Sequence, residues 1–274
     1  TTGITALGVG INVFQWTISN GNCTPSSSTV SIQRDDNPTT SVAGSNQTVC
    51  ATVATLNGNN PAVGTGTWSL VSGAATITSP NLFNTGLTAL GVGVNVLQWT
   101  IGNGVCPNSS STVSIQRDLN PSTSVAGANQ TVCATVATLN GNNPAVGTGT
   151  WSLVSGAATI TSPNLFNTGL TALGAGVNVL QWTIGNGVCA SSSSTVSVQR
   201  DLNPSTSVAG ANQTVCATVA TLNGNNPAVG TGTWSLVSGA ATITSPNLFN
   251  TGLTALGVGV NVLQWTIGNG VCAN

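Results

Sequence analysis

The residues of this 274-residue chain that could support redox, ionic or metal chemistry are few: seven cysteines, four aspartates and three arginines, with no His, Lys, Glu, Tyr or Met. That inventory excludes most catalysis. A Ser-His-Asp or Cys-His nucleophile needs a histidine, a Schiff base or a phosphate loop needs a lysine, and paired-glutamate acid/base work needs glutamates. No catalytic residue is assigned and no cofactor is expected. Without His the usual Cys/His zinc set cannot form. Thiol–disulfide chemistry is what remains to the cysteines.

Their spacing reveals the organisation. Cys23, Cys106, Cys189 and Cys272 recur at a constant step (106 − 23 = 83, 189 − 106 = 83), and Cys50, Cys133 and Cys216 keep the same one (133 − 50 = 83). Tryptophan follows the same period, with Trp16, Trp99, Trp182 and Trp265 in one series and Trp68, Trp151 and Trp234 in the other. Comparison of Ser109–Ser191 with Ser192–Asn274 shows three differences: Ile115 against Val198, Ala175 against Val258, and Ser191 against Asn274. Such a period is too long for a solenoid unit of ~20 to 50 residues but large enough for a small domain, so beads on a string are expected. The expected domains are 1–36, the C-terminal part of a truncated repeat; 37–119; 120–202; and 203–274, lacking its last strand. The chain reads as a window on a longer array. Boundaries are placed at the charged, proline-containing segments Arg34-Asp35-Asp36-Asn37-Pro38, Arg117-Asp118-Leu119-Asn120-Pro121 and Arg200-Asp201-Leu202-Asn203-Pro204, where Asn-Pro interrupts regular structure as a short hinge would.

Two cysteines per repeat are read as a disulfide. Pairing within each domain is preferred: Cys50 with Cys106, Cys133 with Cys189, and Cys216 with Cys272, leaving Cys23 unpaired. It would staple an early strand to the end of the Trp99 strand. Pairing across the junction, Cys106 with Cys133, is the alternative, and leftover parity does not decide between them. Either implies an oxidising, extracellular compartment.

The elements that must position these cysteines are short β-branched segments separated by Gly, Asn, Ser and Pro clusters at intervals of roughly ten residues, the signal of an all-β sandwich. In the repeat 37–119 the expected strands are Thr40–Ala43, Thr48–Leu56, Gly66–Val71, Ala75–Thr78, Leu87–Ala89, Val94–Ile101 and Thr112–Arg117, an immunoglobulin-like count of seven. Alternation places Leu97, Trp99 and Ile101 on one face and Val96, Gln98 and Thr100 on the other. All seven tryptophans are assigned to the core; an exposed sugar-stacking platform is the competing role. Asn57-Gly58, Ser72-Gly73 and Asn103-Gly104 supply turns.

Charged residues make up 3% of the chain and the net charge is −1. Clustered Lys and Arg are missing, so neither nucleic acid nor an anionic membrane surface is an expected partner. No apolar run reaches the ~18 to 20 residues of a membrane helix. The charges concentrate in the junctions, at Arg34, Asp35, Arg117, Asp118, Arg200 and Asp201, where a solvated linker is the plain expectation. A calcium site using Asp118, Asn120 and backbone carbonyls is the sharper one, opposed by the shortage of carboxylates; no metal site is assigned. Asn46-Gln47-Thr48 and its copies at Asn129 and Asn212 fit the N-glycosylation pattern.

The order Ser41-Val42-Ala43-Gly44 through Cys50, then Ala54-Thr55-Leu56-Asn57-Gly58-Asn59, then Gly66-Thr67-Trp68-Ser69, then Gln98-Trp99-Thr100-Ile101-Gly102-Asn103-Gly104-Val105-Cys106 resembles the tandem PKD-like/immunoglobulin-like repeats of giant bacterial cell-surface adhesins. It is similar in particular to gliding-motility adhesins of the SprB type, exported by type IX secretion. The resemblance implies tandem β-sandwich domains in a long extracellular filament at the cell surface, acting as a tension-bearing spacer or stalk in motility or attachment. Its partners would be neighbouring repeats of the same chain and a surface polysaccharide or substratum. A multivalent glycan-binding module and a strand-exchanged, self-assembling filament are the alternatives.

Overall fold

A computed structural model describes residues 2–272, and every described element is a β-strand. The chain divides into two compact units, Thr1–Asn120 with Asn186–Cys189, and Pro121–Gly185 with Ala190–Asn274.

The first unit opens with an antiparallel hairpin of β1 (Gly10–Ile18) and β2 (Ser26–Arg34). Seven strands follow: β3 (Gln47–Val49), β4 (Ala54–Asn57), β5 (Thr65–Ser72), β6 (Thr76–Ile77), β7 (Asn84–Thr88), β8 (Gly93–Gly102) and β9 (Ser109–Arg117). They form a four-stranded sheet, β3-β9-β8-β5, and a three-stranded sheet, β4-β7-β6. This is the immunoglobulin-like arrangement of two facing sheets. One short ladder is parallel, β3 on β9 with Val49 opposite Arg117, and it fixes which end of the sandwich β3 reaches.

Period-2 patterning makes the core. Along β8, Asn95, Leu97, Trp99 and Ile101 are buried while Val94, the residues between and the strand ends are not. Trp99 lies directly opposite Trp68 of β5, with ring centroids 5.0 Å apart and planes tilted by 36°, a favourable offset geometry. Gly66 lets the backbone of β5 approach the Trp99 ring; an added Cβ would collide with that ring's six-membered edge. Leu56 of β4 and Leu87 of β7 close the cluster from the opposite sheet.

Two expected strands differ in the structure. Thr40–Ala43 forms no ladder, because its backbone groups are taken by side chains: Val42 N–H donates to Asn59 Oδ1 at 2.8 Å, Asn59 Nδ2 donates to the Thr40 carbonyl at 2.9 Å, and Ser41 N–H donates to Ser109 Oγ at 2.9 Å. The expected strand Thr48–Leu56 is two strands, since the chain crosses at 50–53 from the sheet of β3 to the sheet of β4. Trp16, assigned to the core, is 69% exposed. Among the described residues no sheet faces the β1–β2 ladder, and its apolar alternation is exposed at Ile11, Val13 and Trp16.

The second unit repeats the plan. It contains β10 (Gln130–Val132), β11 (Ala137–Asn140), β12 (Thr148–Ser155), β13 (Thr159–Ile160), β14 (Asn167–Thr171), β15 (Gly176–Asn186) and β16 (Cys189–Arg200), in sheets β10-β16-β15-β12 and β11-β14-β13. Then come β17 (Ala220–Asn223), β18 (Thr231–Ser238), β19 (Thr242–Ile243), β20 (Asn250–Thr254) and β21 (Val262–Gly268), paired as β17-β20-β19 and β18-β21. The Trp151–Trp182 and Trp234–Trp265 pairs reproduce the stacked geometry at 5.1 and 5.2 Å.

Candidate functional site

The cysteines and the scarce charges meet at the junctions between repeats. The structure pairs Cys50 with Cys189 and Cys133 with Cys272, both at a sequence separation of 139 residues, and leaves Cys23, Cys106 and Cys216 as free thiols. The expected within-domain bonds, Cys50–Cys106, Cys133–Cys189 and Cys216–Cys272, are not formed, and neither is the cross-junction bond Cys106–Cys133. Topology supplies the reason. Because β3 runs parallel to β9 and Val49 stands opposite Arg117, Cys50 lies beside the end of β9. Cys106 lies in the turn before β9 begins. A strand of nine residues separates the two ends by roughly 30 Å at ~3.3 Å per residue, far beyond the ~7 Å Cα separation a disulfide tolerates. Each bond therefore joins the first cysteine of one repeat to the second cysteine of the next. In the chain-entropy model, closing a loop of that size is worth about 5 kcal/mol.

Hydrogen bonds secure the same junction. In the first unit, Asp118 N–H donates to the Val49 carbonyl at 2.9 Å, and Arg117 Nη1 donates to the Leu90 carbonyl at 3.1 Å. Gln116 Nε2 donates to Asp118 Oδ1 at 2.9 Å, and Asn186 Nδ2 donates to the Leu119 carbonyl at 2.7 Å. Gly187, at φ +58°, makes the turn that brings Asn186 and Cys189 to this segment; a Cβ there would stand 2.7 Å from Asp118 Oδ2. The second unit repeats each element. Asp201 N–H donates to Val132, Arg200 to Leu173, Gln199 to Asp201, and Asn269 to Leu202, beside the Cys133–Cys272 bond. In the Arg-Asp-Leu segments, expected as solvated hinges, Arg117, Asp118, Arg200 and Asp201 are half-buried, and the carbonyls of the exposed Leu119 and Leu202 accept hydrogen bonds from Asn186 and Asn269.

The junction at Arg34 carries the same plan without the sulfur bond. Asn103 Nδ2 donates to the Asp36 carbonyl at 2.8 Å, Gln33 donates to Asp35 at 2.7 Å, and the Cys106 thiol donates to the Asp35 carbonyl at 3.5 Å. Arg34 and Asp36 form an exposed ion pair at 3.8 Å. Among the described residues, no group of three or more His, Cys, Asp or Glu side chains is placed to hold a metal ion.

Of the other sequence-assigned residues, Trp68, Trp99, Trp151, Trp182, Trp234 and Trp265 are each 1–3% exposed. That burial leaves them no face for stacking a sugar. Asn46 and Asn129 use their Oδ1 atoms to accept the backbone N–H of Ser114 and Ser197. A groove of about 740 Å³ in the repeat 203–274 runs along Gln213–Val215 and Val258–Leu263. In the repeat 120–202 the corresponding edge is paired with β16.

Sequence reasoning missed Asn95 and Asn178, both 1% exposed. Asn95 Oδ1 accepts the Ala74 N–H at 2.8 Å, and its Nδ2 donates to the carbonyls of Gly91, Gly93 and Ile115 at 2.9, 3.1 and 3.3 Å. One amide thus joins two turns to β9. The available signal was phase: Asn95 lies two positions before Leu97 on the buried face, and the same asparagine recurs at 12, 178 and 261.

No protein-family model and no curated protein matches the sequence. Among solved structures, the chain is similar to a three-domain segment of titin, I67–I69, in an E-to-A mutated variant, at 15% identity, with 86% of this chain and 94% of that one covered and a TM-score of 0.47. It is also similar to immunoglobulin domains 1–5 of Sidekick-1 at 11% identity, covering 91% and 64% with a TM-score of 0.41, and to the N-terminal eight immunoglobulin domains of Down Syndrome Cell Adhesion Molecule at 12% identity, covering 94% and 46% with a TM-score of 0.36.

Proposed function

We propose that this chain is the structural repeat region of a long extracellular surface filament or adhesin, a stalk that bears tension between an anchor and whatever the filament holds. The observation that carries this reading is the pair of repeat-to-repeat disulfides, Cys50–Cys189 and Cys133–Cys272. A bond placed at a junction links domains rather than closing one domain's core, and it persists only in an oxidising compartment. The low charge suits the same role, because a neutral surface dense in Ser, Thr and Asn offers no electrostatic field to recruit ions or polyelectrolytes. The resemblance to gliding-motility adhesins supplies the finer reading, a cell-surface filament exported by type IX secretion and used in motility or attachment. Burial of the paired tryptophans weighs against a glycan-binding module, and a glycan array probed with the whole chain is expected to stay blank. Antibodies raised against the repeat should label intact cells that make the protein. Labelling seen only after permeabilisation would overturn the surface assignment.

A further inference from the structure

The two bonds do more than link neighbours: they change which parts of the chain stand in series. Cys50 and Cys189 form one covalent node, and Cys133 and Cys272 form a second. Three stretches of backbone run between these nodes: 50–133, 133–189 and 189–272. Their lengths follow from the numbering, 133 − 50 = 83 for the first, 189 − 133 = 56 for the second and 272 − 189 = 83 for the third. All three connect the same two points. We infer that the repeats between the nodes carry load in parallel, as a covalent cage, and not one after another as in a simple string of domains. The inference rests on the tension-bearing role proposed above, but the cage itself follows from connectivity alone and holds wherever both bonds are formed.

Physical consequences follow from counting backbone. With both bonds intact, the nodes cannot separate beyond the shortest run (189 − 133 = 56), about 200 Å at ~3.5 Å per extended residue. In the reduced chain, the whole interval from Cys50 to Cys272 is available (272 − 50 = 222), about 780 Å. The shortest run is the body of the repeat 120–202, traversed against the chain direction. It contains β11 to β15 and the Trp151–Trp182 pair. Separating the nodes therefore demands that this body open while both longer runs also lengthen, whereas a serial string would yield at its weakest domain.

Stretching the oxidised full chain by its two ends tests the cage, since the segments before Cys50 and after Cys272 add the same length to every variant. The intact chain should reach a node-to-node limit of about 200 Å. Removing one bond with the double variant Cys133→Ser/Cys272→Ser should raise that limit to about 290 Å (272 − 189 = 83). Full reduction should raise it to about 780 Å. Removing two free thiols with Cys106→Ser/Cys216→Ser should leave it unchanged. Within-repeat bonding gives a nearly equal limit for the intact chain, about 190 Å through two links (133 − 106 = 27 and 216 − 189 = 27). For that reason the variants decide. Under within-repeat bonding each double variant would extend to about 580 Å (272 − 106 = 166 for the first), and that result would overturn the cage. An extension ladder of about 200, 290 and 780 Å on a protein that fails to label intact cells would leave the cage standing and remove the surface reading.

Discussion

The repeats 120–202 and 203–272 are almost the same sequence folded to different degrees of closure. In the first, Leu139, Leu170 and Leu180 are 0–1% exposed; their counterparts Leu222 and Leu253 rise to 8% and 4%, and Leu263 is only half-buried. Val177 is 57% exposed and Val260 84%. The strand Gly176–Asn186 has eleven residues and its counterpart Val262–Gly268 has seven. One element accounts for the contrast. β16 pairs with β15 and with β10 and places Val196 and Val198 in the core. Among the described residues no strand takes that place beside β21, and Gln213–Val215, the same three residue types as β10, forms no ladder. Yet Trp265 stays 3% exposed and Ile267 fully buried, as Trp182 and Ile184 are. The sandwich therefore has an inner half, built on the tryptophan pair, that is insensitive to the last strand, and an outer half that the last strand closes.

The largest expected effect tests the inner half. Trp182→Ala removes a ring packed against Gly149 and Trp151, and should cost about 3 to 5 kcal/mol. Trp265→Ala should cost less, about 2 to 3 kcal/mol, because its partner Trp234 lines the open groove, which lets neighbours relax and water enter. Denaturant titration of the oxidised chain followed by tryptophan fluorescence separates them. The repeat 203–272 should unfold in the earlier transition, which Trp265→Ala moves, while Trp182→Ala moves the later one. Equal costs would mean that the two cores are equally closed.

Next in size is the gain from adding a strand of the β9 and β16 type to the repeat 203–272. Appending Ser-Ser-Ser-Thr-Val-Ser-Ile-Gln-Arg, the sequence of β9, directly after Asn274 restores the repeat phase of Asn108-Ser109. Burial of its Val and Ile should stabilise the repeat by about 2 kcal/mol after the cost of ordering the segment. The two unfolding transitions should then merge. A polar version with Ser at both apolar positions should leave them separate, and merging with that version would show that backbone pairing alone closes the fold.

How legible all this was depends on what kind of signal each feature leaves. The buried row Leu97, Trp99 and Ile101 was readable because alternation is local. The Gly-Thr-Trp-Ser stretch was readable as a strand for the same reason. The break inside Thr48–Leu56 was not, since a chain that leaves one sheet for the other keeps its β-branched composition, and only pairing distinguishes the halves. Disulfide connectivity was invisible for a related reason. Cys50 and Cys106 belong to one repeat in sequence but stand at opposite ends of it, a consequence of the parallel β3–β9 ladder that no spacing encodes. Asn95 was overlooked because a polar residue on an apolar face reads as a lapse in the pattern until its four partners are seen.

That asparagine gives a smaller test of the same contrast. Asn178 Nδ2 donates to the carbonyls of Gly174, Gly176 and Val198, the last on β16, and its Oδ1 accepts the Ala157 N–H. Asn261 makes the equivalent bonds to Gly257, Gly259 and Ala240 but is only half-buried. Asn178→Ala should cost about 2 to 3 kcal/mol, because it strands buried backbone groups without water. Asn261→Ala should cost about 1 kcal/mol, with solvent replacing the amide. In the chain extended by the β9 sequence, the second cost should rise to match the first. If it stays low, the amide's worth is set by the local turn and not by closure.

The smallest expected effect concerns charge: the closed repeat holds Arg200 and Asp201, and the open one has no charged residue. The Arg34–Asp36 pair has side chains 48% and 47% exposed at 3.8 Å, so solvent and salt screen it, and Arg34→Ala should change stability by no more than about 0.5 kcal/mol. Arg34, Arg117 and Arg200 also donate to the backbone carbonyls of Leu7, Leu90 and Leu173, and such bonds depend little on ionic strength at contact distance. Raising NaCl from about 0.05 to 1 M shortens the Debye length from roughly 14 to 3 Å, yet both unfolding transitions should hold within about 2 °C. A shift confined to one transition would locate an electrostatic contribution in one repeat. That outcome would separate the two repeats by charge as well as by closure, since Arg200 and Asp201 belong to the repeat 120–202 and the sequence 203–274 carries no charged residue.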